Sequence, residues 1–131
     1  MVLDTSALIA ILGGEPEQRA FIAAIEQADV CLLSAASYVE ASIVMEVRHG
    51  AAGVHDLERL IDRAGCEIVA VEVAQAKIAR SAFQRYGKSR HPAGLNFGDC
   101  FAYALAVSRG EPLLFKGDDF PLTDVPQALP A

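Results

Sequence analysis

Apolar and polar positions alternate along this chain in blocks whose spacing changes from one to the next. Val2-Leu3 is a short apolar run cut off at Asp4, which predicts a strand ending there. Ser6 to Leu12 reads as a short helix closed by Gly13-Gly14. Pro16 suits the first turn of a second helix running to about Ala28, with Phe21, Ile22 and Ile25 on its apolar side. Val30 to Leu33 is a continuous apolar run, read as a buried strand, after which Ser34 can cap a helix from Ala35 to about Arg48 that stops at Gly50. A further helix is predicted from about Val54 to Ala64, a third strand over Glu67 to Val71, and a helix over Ala74 to Tyr86 closed by Gly87. Lys88 to Phe97 is a polar loop, Gly98 to Arg109 a helix, Pro112 to Phe115 a fourth strand, and Asp124-Val125 a short fifth.

Short apolar strands alternating with helices imply βαβ units. The expected architecture is one α/β domain over residues 1–131, with a mostly parallel sheet of four to five strands and helices on both faces. In open sheets of this kind, ligands bind beyond the carboxyl ends of the strands. Which polar residues fall there becomes the question that decides the chemistry.

Acids fall there. Asp4 follows the first strand directly, and Asp118 and Asp119 follow the last long strand. Asp99 sits in the first turn of the late helix, and Glu40 lies inside the Ala35–Arg48 helix. Its helical neighbours Ala36, Ser37, Ile43, Val44 and Val47 are mostly apolar, so Glu40 is expected to face the core. Each acid also has a plainer reading: Asp4 as a helix cap, Asp99 as a first-turn acid, Glu40 as a satisfied core carboxylate, Asp118 and Asp119 as turn residues. Carboxylates that converge without bases repel one another and raise each other's pKa. A hard dication, Mg²⁺ or Mn²⁺, relieves that conflict, and oxygen-only ligation does not suit zinc. His49, His55 and His91 have no ligand spacing, and Cys31, Cys66 and Cys100 lack a CxxC pair, so the thiols read as buried and reduced.

Lys plus Arg is 11 against 17 for Asp plus Glu, a net charge of −6, which excludes a uniformly basic nucleic-acid binder. The charge is uneven, however. From Val73 to Gly98 there is no acid, while Lys77, Arg80, Arg85, Lys88 and Arg90 are all basic. Such a segment can grip phosphates without regard to sequence, with Tyr86 and His91 available to stack on bases. The start of the chain has no basic n-region and no apolar run reaches membrane length, so a cytoplasmic protein with no membrane association is expected.

Four pieces of the chain together resemble the PIN-domain ribonucleases, in particular the VapC-type toxins. They are Val2-Leu3-Asp4-Thr5-Ser6-Ala7, Ser37-Tyr38-Val39-Glu40, Asn96-Phe97-Gly98-Asp99-Cys100 and Leu113 to Phe120. The resemblance implies a PIN-like fold, Mg²⁺- or Mn²⁺-dependent endoribonuclease activity leaving a 5′-phosphate and a 3′-hydroxyl, a homodimer, and inhibition by a cognate VapB-type antitoxin. Its three firm acids fall on Asp4, Glu40 and Asp99. At the fourth position the family often has Thr-x-Asp; here Phe115 and Gly117 stand instead, so Asp118 would have to fill the role, with Asp119 next in line. On this reading Asp4 and Asp99 bind Mg²⁺ directly. Glu40 and Asp118 act through water or on a second ion, and Thr5 and Ser6 orient Asp4 or contact the phosphate.

Two alternatives bound this reading: a non-catalytic PIN-like binding module, and a phospho-acceptor or phosphatase α/β domain. A receiver wants an acidic pair after its first strand, whereas Asp4 precedes Thr5-Ser6, and a dehalogenase-like phosphatase wants an acid at Ser6.

Overall fold

The computed structural model describes residues 1–129; residues 130 and 131 lie outside the described part. The chain runs β1 (Val2–Leu3), α1 (Thr5–Leu12), α2 (Gln18–Gln27), β2 (Leu32–Ser34), α3 (Ala35–Arg63), β3 (Glu67–Val69), α4 (Val73–Tyr86), α5 (Phe97–Arg109) and β4 (Leu113–Leu114). A 3-10 turn follows at Phe120–Leu122. The four strands form one parallel sheet in the order β3-β2-β1-β4. This order differs from the 2-1-3-4-5 order of receiver-type sheets.

The strands are short because each only has to deliver alternate side chains to two apolar layers. Val2, Leu32 and Leu113 pack on one face with Ala82 and Tyr86 of α4 and Leu105 of α5. Their neighbours Leu3, Leu33 and Leu114 pack on the other face with Leu8 of α1, Phe21 of α2 and Leu57 of α3. Removing one such leucine side chain costs roughly 2–5 kcal/mol in a core this close-packed.

The helix predicted from Ala35 and the one predicted from Val54 join into the single span of α3, broken in direction at Gly50 (φ 66°, ψ −154°). A side chain at that left-handed φ would be strained, so Gly50 bends the element where the sequence stopped it. The fifth strand expected at Asp124-Val125 is not formed among the described residues. Val125 is buried instead, and a single bridge pairs Leu113 with Gln127. Pro126 has no N–H to donate, so pairing along β4 is held to Leu113, which donates to the Pro126 carbonyl (2.8 Å) and accepts from Ala128 (2.9 Å). Cys31 and Cys100 are buried and Cys66 is half-buried; all three are free thiols. No helix among the described residues is long and apolar enough to cross a membrane.

Candidate active site

The carboxyl ends of the central strand β1 and the neighbouring edge strand β4 open into a cleft of about 500 Å³. Asp4 lies at its base because β1 ends one residue earlier. The Asp4 N–H donates to the Leu114 carbonyl of β4 (2.9 Å), which fixes its backbone to the sheet. Its extended φ/ψ makes it the N-cap of α1, and one carboxylate oxygen, Oδ2, accepts from both the Ser6 N–H (3.0 Å) and the Ser6 hydroxyl (2.6 Å). Asp4 is only 4 % exposed. Burial pushes its carboxyl up to about 7, against the Ser6 hydrogen bonds and with the charges of Asp99 and Glu40 adding to the rise.

Asp99 reaches the same cleft from the first turn of α5. Asn96 caps that helix reciprocally: its Oδ1 accepts from the Asp99 N–H (2.9 Å), and its own N–H donates to Asp99 Oδ2 (3.0 Å). Burial raises the Asp99 carboxyl to about 6, opposed by the Asn96 hydrogen bond and helped by the charges of Asp119 and Glu40. A capping geometry that satisfies one oxygen of each aspartate leaves the other for a ligand.

Glu40 lines the cleft as a half-buried residue, and does not face the core as its sequence neighbours suggested. The buried face of this part of α3 is made by Ser37, Ala41 and Met45 instead, while Val39, Ile43 and Val47 are 53 %, 55 % and 80 % exposed. Hydrophobic periodicity cannot tell an apolar stripe turned to the core from one turned outward. Glu40, Val44 and Arg48, spaced by four residues, form the helix wall of the cleft.

The fourth acid differs from the expectation. Asp118 and Asp119 are both exposed and neither lines the cleft, although Gly117 does. Asp119 is close enough to raise Asp99, and Asp118 is not among the charges acting on Asp4 or Asp99. Thr5 and Ser6 both line the cleft. The Thr5 hydroxyl donates to the buried Ser37 carbonyl (3.2 Å), tying α1 to α3, while the Ser6 hydroxyl orients Asp4 and accepts the Lys116 N–H (2.9 Å).

The basic segment lies apart from the acids. Arg80, Arg85, Lys88 and Arg90 do not line the acidic cleft. Arg80 and Arg90 share a separate hollow with Phe83, over whose ring the Arg90 guanidinium sits at 5.6 Å. Arg85 donates to the Tyr86 hydroxyl (2.7 Å) and stands 3.7 Å from Asp124. Lys88 is exposed. Tyr86 is buried and packs edge-on against the half-buried His91, with ring centroids 5.1 Å apart, so the Tyr86 ring is not open to bases. The cations in the cleft wall are Arg48 and Lys116. Lys116 is engaged by Glu15 (2.8 Å) and Glu17 (3.1 Å), whereas Arg48 forms no ion pair among the described residues. Arg48 was read from sequence only as a helix end, and its spacing of eight from Glu40 was the signal that could have found it.

The donor set fits a hard dication. It offers carboxylate oxygens from Asp4, Glu40 and Asp99, no soft ligand, and two carboxyls whose ionisation is opposed by burial and by each other. Among the described residues no three acidic, histidine or cysteine side chains already form a metal-ligating cluster, so sharing one ion requires side-chain rotation into the cleft.

Residues 1–126 match the family model described as the PIN domain, and the chain belongs to that family. Within it, the chain falls among the VapC ribonucleases. It is 51 % identical over 125 residues to a VapC ribonuclease of Mycobacterium bovis, covering 95 % of both chains. It is 53 % identical to a ribonuclease VapC of Mycolicibacterium smegmatis, covering 95 % of this chain and 97 % of that one. Its fold is similar to the crystal structure of Mycobacterium tuberculosis VapC20, described as a Sarcin-Ricin loop cleaving toxin, with a TM-score of 0.76 at 15 % identity and 95 % of each chain covered. A toxin–antitoxin complex from Klebsiella pneumoniae matches with a TM-score of 0.69 at 17 % identity, over 91 % of this chain and 88 % of that one.

Proposed function

We propose that this chain is the endoribonuclease toxin of a VapBC-type pair, a single PIN-like domain that hydrolyses RNA phosphodiesters with Mg²⁺ or Mn²⁺ held by Asp4, Glu40 and Asp99. Asp119, rather than Asp118, serves as the fourth acid. The observation that carries the reading is the meeting of Asp4, Glu40 and Asp99, 95 residues apart at the extremes, in one cleft at the carboxyl ends of the sheet. A dication bound there lowers the pKa of a water and offsets negative charge on the phosphate.

The chain's own groups do the rest. Ser6 holds the Asp4 carboxylate with its second oxygen free, and Asn96 does the same for Asp99. Arg48 draws a phosphate into a cleft whose other walls are acidic. In the reaction water adds to phosphorus, the bond to the 3′ oxygen breaks, and the proton ends on that oxygen. Arg80 and Arg90 beside Phe83 hold RNA flanking the cut, as a cationic and aromatic surface outside the cleft.

The exposed stripe of Val39, Ile43 and Val47 favours a homodimer built on α3, and the groove lined by Ile22, Ile25 and Leu60 suits an apolar helix of the antitoxin. Free, mostly buried thiols agree with action in the cytoplasm.

The test is cleavage of RNA by purified protein with Mg²⁺ or Mn²⁺. Chelator should abolish it, and Asp4→Asn or Asp99→Asn should reduce it at least a hundredfold while circular dichroism stays unchanged; at Asp4, the N-cap of α1, asparagine caps a helix as well as aspartate. Full activity in either variant removes that residue from the site. A chain that binds RNA but neither takes metal nor cleaves would be the binding module.

A further inference from the structure

Gly98 is the second residue of α5, with ordinary helical geometry, so no backbone constraint demands glycine there. Alanine would serve the helix better, because glycine is among the poorest helix formers. What glycine leaves room for is Glu40. A Cβ on residue 98 would stand 2.7 Å from both the Glu40 Cδ and Oε1, and closer still to Oε2. The nearest atoms are all at the end of one flexible side chain. The added methyl therefore displaces the Glu40 carboxylate and leaves the helix in place.

We propose that Gly98 is a positioning residue: its bare Cα forms the seat against which the Glu40 carboxylate rests, next to Asp99 in sequence. This inference deepens the metal reading and rests on it. The seat couples α3 to the start of α5, so that two acids from separate elements are set against each other by one missing methyl group. The three atoms nearest to a Cβ at this position all belong to the Glu40 carboxylate. The identity of residue 98 thus acts first on Glu40.

The experiment compares wild type, Gly98→Ala, Glu40→Gln, the double variant Gly98→Ala/Glu40→Gln, and Gly98→Ala/Glu40→Asp. Mn²⁺ affinity is read by the paramagnetic resonance of free Mn²⁺, and thermal unfolding is read in chelator. Gly98→Ala should unfold at the wild-type temperature or above and bind Mn²⁺ at least tenfold more weakly. It should add no further loss in the Glu40→Gln background. Shortening the acid in Gly98→Ala/Glu40→Asp should recover part of the affinity. In metal-free wild type, a nuclear Overhauser contact between the Gly98 Hα and Glu40 Hγ protons should be present, and this holds whether or not any variant folds. Wild-type Mn²⁺ affinity in Gly98→Ala, an equal loss with and without Glu40, or absence of that contact overturns the seat while leaving the metal reading intact. A wild type that takes up no Mn²⁺ overturns both.

Discussion

Ser6 directs its hydroxyl (2.6 Å) and its backbone N–H (3.0 Å) at the same oxygen of Asp4. One residue thus supplies both hydrogen bonds that oppose the burial of that carboxylate, and does so from the first turn of the helix Asp4 caps. On the proposed metal reading, the arrangement makes a helix cap serve also to hold a ligand.

Ser6→Ala removes the hydroxyl and keeps the backbone bond. It also leaves the Lys116 N–H without its acceptor. A hydrogen bond to a charged group is worth about 1.5–3 kcal/mol, and supporting partners of metal ligands typically affect affinity roughly 10–100-fold. Mn²⁺ titration of Ser6→Ala should show a loss in that range, with helix content unchanged.

Stability should depend on pH in an unusual direction. Asp4 rises from the ordinary 3.8 to about 7 on folding, and Asp99 from 3.8 to about 6. Between those values the folded chain binds more protons than the unfolded one, so stability increases as pH falls from about 7 towards 4. In chelator, the unfolding temperature at pH 5 should exceed that at pH 7.5, and Asp4→Asn should flatten most of the difference. The same protons compete with metal, so Mn²⁺ affinity should weaken as pH drops through 7. A metal-free protein more stable at pH 7.5 than at pH 5 would contradict the buried, crowded state of these acids.

Arg48 and Arg85 should separate in RNA binding. Arg48 lines the cleft without an ion-pair partner among the described residues, whereas Arg85 stands beside Asp124 and Tyr86. With the inactive Asp4→Asn protein and a single-stranded RNA, Arg48→Ala should weaken binding and reduce the slope of log affinity against log salt by about 0.7, the share of one phosphate contact. Arg85→Ala should change the slope far less. Equal effects would mean that the outer basic face, not the cleft wall, carries the phosphate.

The α3 stripe should set the oligomeric state. Val39, Ile43 and Val47 are exposed at four-residue spacing. Ile43→Lys should yield a monomer by light scattering with an unfolding profile close to wild type. A dimer that persists in Ile43→Lys would place the interface elsewhere.

Much of this was legible before any coordinates. The short apolar runs at Val2-Leu3 and Pro112 to Phe115 foretold strands of a sheet covered by helices on both faces, and Gly50 marked a real bend of a helix. Asp4 and Asp99 were legible because each follows directly from where its element begins: a strand end and a capped first turn. Such features are local, and local backbone chemistry writes them into a few adjacent residues.

Long-range placement was decided by packing. Periodicity showed that α3 has an apolar stripe but not that Val39, Ile43 and Val47 face outward while Glu40 turns to the cleft, because the rotation of a helix is settled by the neighbours it packs against. Arg48 stands eight residues from Glu40 and Arg85 fourteen from Asp99, a difference that linear spacing alone does not decide, yet only Arg48 lines the cleft. Composition and local pattern determined the class of chemistry, carboxylates at strand ends of a parallel sheet. Only the tertiary structure decided which cation enters the cleft, which late aspartate acts on Asp99, and that a glycine in α5 makes room for an acid in α3, since contacts between distant segments depend on three-dimensional packing that no short window of sequence contains.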